Sequence, residues 1–170
     1  VRRLVGSEMC IRDRFISLSL YLATATELIA ENKIEIRASD KLEWYQLENK
    51  IVALGEAEVK SSLFSINANK IVGFYEDLIG KGKIENLIAS EKATFKTSQI
   101  TINSNFMNYN LAKETLLVEG DNISMISGLG TVYSRKRLLY NKDEKKIILD
   151  GNVLIILKNP ETRINAHKLT

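Results

Sequence analysis

The strongest constraint on this chain is that it repeats itself. Five stretches line up: IEIRASDKLEWY (Ile34–Tyr45), FSINANKIVGFY (Phe64–Tyr75), ITINSNFMNY (Ile100–Tyr109), GTVYSRKRLLY (Gly130–Tyr140) and TRINAHKLT (Thr162–Thr170). Each runs apolar, polar, apolar, polar, then a small residue, then polar residues, and the complete ones close on an apolar-aromatic pair. The small residues are Ala38, Ala68, Ser104, Ser134 and Ala166, spaced by 30, 36, 30 and 32 positions. A period in this range means stacked supersecondary units, none of which closes a core alone.

The units are strands. In Lys33–Ala38, Ile34, Ile36 and Ala38 share one parity while Lys33, Glu35 and Arg37 share the other, the period of two of a half-buried strand. The same alternation runs through Ile51–Val59, Ile100–Asn103 and Ile147–Leu157. Polar connectors at Leu47–Lys50, Asp77–Lys83 and Asn141–Lys146 read as turns. Leu111–Val118 has a helix-like composition but is too short to stand as a helix alone. Three of the four complete units are followed by a second strand carrying a glycine, Gly55, Gly120 or Gly151; the remaining one has Glu91 in that place. The expected fold is all-β, an elongated antiparallel sheet of repeated strand units.

The opening of the chain follows a different logic. Leu4–Arg14 (LVGSEMCIRDR) is, residue for residue, the in-frame translation of a transposase adapter used in sequencing libraries. Residues 1–14 are therefore read as adapter-derived. Without them the only cysteine, Cys10, disappears, and with it any disulfide or thiolate argument. Lys+Arg falls from 24 to 20 and Asp+Glu from 21 to 19, so the formal charge of +3 becomes +1 and a case for nucleic acid loses its base. Phe15–Ala25 (FISLSLYLATA) reads as the rear half of a secretory signal with an A-x-A-type site, which predicts cleavage after Ala25 and a mature start at Thr26. The domain is expected over 26–170, and TRINAHKLT reads as a fifth unit cut short.

Reactive groups are few. His167 is the only histidine, which excludes a multi-histidine metal site, and a catalytic triad would have to be built on that one residue. There is no Walker loop and no GxGxxG. Gly128-Leu129-Gly130 reads as a turn, and Asp40, Asp121, Asp143 and Asp150 as solvated or turn-forming residues. No enzymatic activity, cofactor or metal is expected.

With the repeats in view, the chain resembles the periplasmic lipopolysaccharide-transport bridge family, the OstA-like or LptA-like domain. The resemblance rests on KIEIRASDKLEW (Lys33–Trp44), SINANKIV (Ser65–Val72), KATF (Lys92–Phe95) and above all NYNLAKETLLVEGDN (Asn108–Asn122). It implies a folded-over antiparallel sheet, a β-taco or open β-jelly roll, whose faces converge on a hydrophobic groove for the acyl chains of lipid A. It also implies a periplasmic protein that contacts inner-membrane and outer-membrane components of a transport bridge and associates head to tail with itself. Burying one long acyl chain removes a penalty on the order of 10 kcal/mol, at about 0.8 kcal/mol per methylene. Carried over onto this chain, the groove residues are Ile34 and Ile36 at its start, Phe95 as an inward aromatic, and Tyr109 and Leu111 further along. Trp44 and Phe106 are expected to pack structurally, with Phe74 and Tyr75 at an edge. Two other readings stay open: the membrane-anchored inner partner or the receptor's periplasmic domain of the same system, and a structural β-solenoid without ligand.

Overall fold

A computed structural model describes residues 33–76, 83–142, 144 and 146–169. The adapter-like stretch, the signal-like stretch with its cleavage site, Asp143 and most of the Asp77–Lys83 turn lie outside the described residues.

Among the described residues the chain is β throughout except for one 3-10 turn, Gln46–Glu48, in the expected Leu47–Lys50 connector. The strands are β1 (Glu35–Arg37), β2 (Lys41–Tyr45), β3 (Lys50–Lys60), β4 (Ser65–Glu76), β5 (Lys83–Lys96), β6 (Ile100–Asn110), β7 (Thr115–Glu119), β8 (Ile123–Ser127), β9 (Gly130–Ser134), β10 (Arg137–Asn141), β11 (Lys146–Lys158) and β12 (Glu161–Leu169). All join one antiparallel sheet. The helix-like Leu111–Val118 stretch is a turn leading into β7, because Leu116 and Val118 alternate inward with the core.

The long strands are continuous, but their pairing is interrupted near the middle of the sheet, where two short strands in turn flank one long strand. β1 and β2 both pair β3; β7 and β8 both pair β6; β10 and β9 both pair β11. The breaks align across the sheet as a crease that separates two leaves. The first leaf holds β1, β8, β9, most of β12 and the halves of the long strands around Val59, Ile66, Phe95, Ile102 and Ile155. The second holds β2, β7, β10 and the halves around Ala53, Ile71, Ala89, Met107 and Leu149.

The crease has a backbone cause. On β3 the register jumps from Leu54↔Lys70 to Ala57↔Ala68, so Gly55 and Glu56 oppose a single residue. On β5 it jumps from Ser90↔Phe106 to Ala93↔Ser104, and on β11 from Asp150↔Lys168 to Val153↔Ala166. Such bulges bend and twist a strand. The bulged residues have left-handed backbones: Gly55 (φ 75), Glu56 (φ 40), Glu91 (φ 65), Lys92 (φ 61), Gly151 (φ 86) and Asn152 (φ 50). Glu91, where the repeat lacks its glycine, adopts the same bend at the steric cost of a side chain.

The crease also explains the small residues of the repeat. Leaves that share a crease are closest there, so inward side chains must be short. Of the repeat's small residues Ala68, Ser104 and Ser134 are buried at this line, with Ala57 and Ala93 beside them, while Ala38 and Ala166 are half-buried. The two serines donate hydrogen bonds to carbonyls: Ser104 Oγ to Glu119 O at 2.6 Å, and Ser134 Oγ to Asp150 O at 2.7 Å. Each carbonyl precedes a glycine of positive φ, Gly120 or Gly151.

Candidate functional site: the seam between the leaves

Away from the crease the inward residues grow larger and line up across the sheet. In the second leaf, successive register partners form the row Leu42–Ala53–Ile71–Ala89–Met107–Val118–Leu138–Leu149–Leu169. A second row nearer the rim is Trp44–Ile51–Gly73–Leu87–Tyr109–Leu116–Tyr140–Ile147. The first leaf answers with Ile36–Val59–Ile66–Phe95–Ile102–Met125–Val132–Ile155–Ile164. Neither leaf's rows contain a charged residue. They make a continuous apolar seam from one edge strand to the other.

Of the five residues expected to line a groove, Ile36, Phe95 and Tyr109 stand in these rows, while Ile34 and Leu111 lie just outside β1 and β6. Ile34 and Ile36 are half-buried and pack against the core, as do Tyr109 and Leu111, while Phe95 is buried. Ile36 reaches across to the second leaf: a Cβ built on Gly73 would lie 3.6 Å from its Cδ1. Phe95 and Tyr109 meet directly, ring centroids 5.3 Å apart at 64°. Burial raises the Tyr109 phenol above its ordinary pKa, with the nearby Glu114 carboxylate pushing the same way.

A sixth residue escaped the sequence reading. Phe64 precedes β4 and is buried; its ring stacks on Phe95 (5.9 Å, 14°) and meets Tyr109 edge to face (5.0 Å, 77°). The three rings close the rim side of the seam. The middle of the seam is filled by the chain's own side chains: Ile66, Leu87, Ile102, Met107, Leu116 and Val118 are essentially inaccessible. Among the described residues, surface pockets lie along the crease beside Asp40, Glu56 and Lys70 and beside Asp121, Tyr133 and Arg135.

The seam is less sealed at its ends. Leu42 and Trp44 are 57% and 64% exposed, and Ile164 is 40% exposed. Trp44 packs edge to face on Tyr75, ring centroids 6.4 Å apart at 65°, with the rest of its ring in water. It lies on β2, which among the described residues is the outermost strand of its leaf with a neighbour on one side only, and its indole N–H donates to Tyr75 OH at 2.6 Å. Phe106 is only half-buried and stands one register position out of the inward row.

Chemically the seam is inert. Among the described residues its buried polar side chains are Ser104 and Ser134, both engaged with backbone carbonyls. His167 is exposed on β12. Among the described residues no group of three or more His, Cys, Asp or Glu is placed to hold a metal, and no helix is long and apolar enough to cross a membrane. Charges sit outside, in pairs such as Arg137–Asp150 (2.6 Å) and Lys142–Glu114 (2.6 Å). What such an interior offers is apolar contact and exclusion of water.

An almost all-β antiparallel sheet, creased into two leaves around an apolar seam, is the architecture of an LptA-like open β-jelly roll. Among solved structures the chain is similar to LptH, described as the LptA-homologous periplasmic component of the lipopolysaccharide transport device of Pseudomonas aeruginosa, with a TM-score of 0.61, 13% identity, and 71% of this chain and 84% of that chain covered. No family profile and no curated protein matches the sequence.

Proposed function

We propose that this protein is a periplasmic lipopolysaccharide-binding bridge protein that shelters the acyl chains of lipid A between its leaves and makes or breaks no bond. The observation that carries the proposal is the uninterrupted apolar seam running from one edge strand to the other. The LptA-like fold, the transport role printed for LptH and the signal-like Phe15–Ala25 stretch support it. In this reading Ile34, Ile36, Phe95, Tyr109 and Leu111 contact the acyl chains, and the sugars stay in water. The edges of β2 and β12, unpaired among the described residues, are templates for strand addition. Through them the chain joins inner-membrane and outer-membrane components of the bridge, or further copies of itself, head to tail. The lipid travels from the inner to the outer membrane.

A second reading is a structural β-fold without ligand. The filled middle of the seam favours it, since a resident lipid has to displace side chains already in contact.

Titration of the chain with lipid A, with Ile36→Asp and Phe95→Asp alongside, separates the two. The bridge reading expects saturable binding by wild type and at least a tenfold loss in folded variants. Equal binding by wild type and Ile36→Asp removes the groove assignment; absence of wild-type binding leaves the structural reading.

A further inference from the structure

We infer that Phe64 is the gate of the seam: an acyl chain enters by displacing the Phe64 ring and taking its place against Phe95 and Tyr109. The inference rests on the lipid-carrier reading and adds where, and past which side chain, the lipid gets in.

Closure of the seam means that entry requires something to move, and the three rings differ in what holds them. Phe95 lies within β5 and Tyr109 within β6, and both are in register with neighbours on two sides. Moving either backbone breaks ladder hydrogen bonds. Phe64 lies outside the ladder, in the turn between Lys60 of β3 and Ser65 of β4. Its carbonyl accepts one turn hydrogen bond, from Ser61 N at 2.9 Å. Its ring can leave by side-chain rotation and a local shift of the turn.

Position singles out the same residue. Phe64 comes from the rim of the first leaf and touches Tyr109 in the rim-side row of the second, so it bridges the mouth opposite the crease. The other described rim turns of the first leaf hold Thr97–Gln99, Gly128–Leu129 and Asn159–Pro160, with no aromatic ring. Beside the gate, Leu63 is 61% exposed, an apolar contact on the water side for an arriving chain. The face vacated on Phe95 is a flat aromatic surface matched to a methylene chain, so the exchange replaces one apolar contact by another.

Stopped-flow binding of fluorescently labelled lipid A tests this. Phe64→Ala is expected to raise both association and dissociation rates at least fivefold with a smaller change in affinity. Ile100→Ala, also at that rim but outside the ring cluster, is expected to leave the rates within twofold. A second measurement does not depend on Phe64→Ala folding well. Trp44 is the only tryptophan, so Phe64→Trp in a Trp44→Phe background places the sole indole at the gate. Its emission is expected to shift when unlabelled lipid A binds, and bromines on the acyl chains to quench it. Bound lipid with unchanged emission and no quenching, or rates unaltered in Phe64→Ala, overturns the gate while leaving the carrier reading intact. A wild type that binds no lipid A overturns both.

Discussion

Phe95 and Tyr109 come from opposite leaves and meet edge to face, their centroids 5.3 Å apart. The contact joins the middle row of one leaf to the rim row of the other, so it measures how far the sheet has folded on itself. Everything between that contact and the crease is core.

Truncation within the core is therefore expensive. Leu138 is 1% exposed and sits between Val118 and Leu149 in its row. Leu138→Ala is expected to lower stability by about 2–5 kcal/mol, the range for a cavity in a well-packed interior. Urea unfolding of both proteins checks it, with the midpoint falling and the slope unchanged.

The crease serines are expected to matter beyond their size. Removing the Ser134 hydroxyl leaves the Asp150 carbonyl without that donor, and Ser104→Ala does the same to the Glu119 carbonyl. Each substitution should cost about 0.5–1.5 kcal/mol, the usual net worth of one hydrogen bond. Wild-type thermal stability in either variant would show that the carbonyl finds another partner.

At Glu91 the effect runs the other way. Its φ of 65 is a conformation that side chains resist and glycine accepts, and the other units hold glycine there. Glu91→Gly is expected to stabilise the fold by about 1 kcal/mol. Gly151→Ala, at φ 86 and with a Cβ 2.6 Å from that of Lys136, should destabilise it. A calorimetric comparison reads both signs in one experiment.

Acid should weaken one pairing across the second leaf. The hydrogen bond from Arg137 holds the Asp150 carboxyl below its ordinary pKa, with burial opposing and the guanidinium charge assisting. A depressed folded-state value means that stabilisation is full above the ordinary carboxylate pKa and disappears as pH falls through the folded one. The melting-temperature gap between wild type and Asp150→Asn should be constant from neutral pH to about 5 and should close below about 4. A gap independent of pH would remove the pairing as its source.

Much of this architecture was legible in the alternation of residues. The parity of Ile34, Ile36 and Ala38 places them inward, and the row from Ile36 to Ile164 uses the inward position of each unit. Trp44 and Phe64 mark the limit of such reading. Trp44 has inward parity, yet parity says nothing of whether a strand has neighbours on both sides. Phe64 opens its unit with the parity of Ile66 and Ala68, so its inward direction was legible, but its meeting with Phe95 and Tyr109 was not, because parity does not say which strands face each other.

The order of amino acids by itself determined the strands, their inward faces and the spacing of small residues, because a pleated chain sends alternate side chains to opposite sides. Tertiary structure alone decided that the small residues lie along one crease, that the two halves of the sheet close on each other, and that three rings from a turn and two strands seal the rim. Those outcomes depend on contacts between residues far apart in the chain, which exist only once register and bulges have bent the sheet.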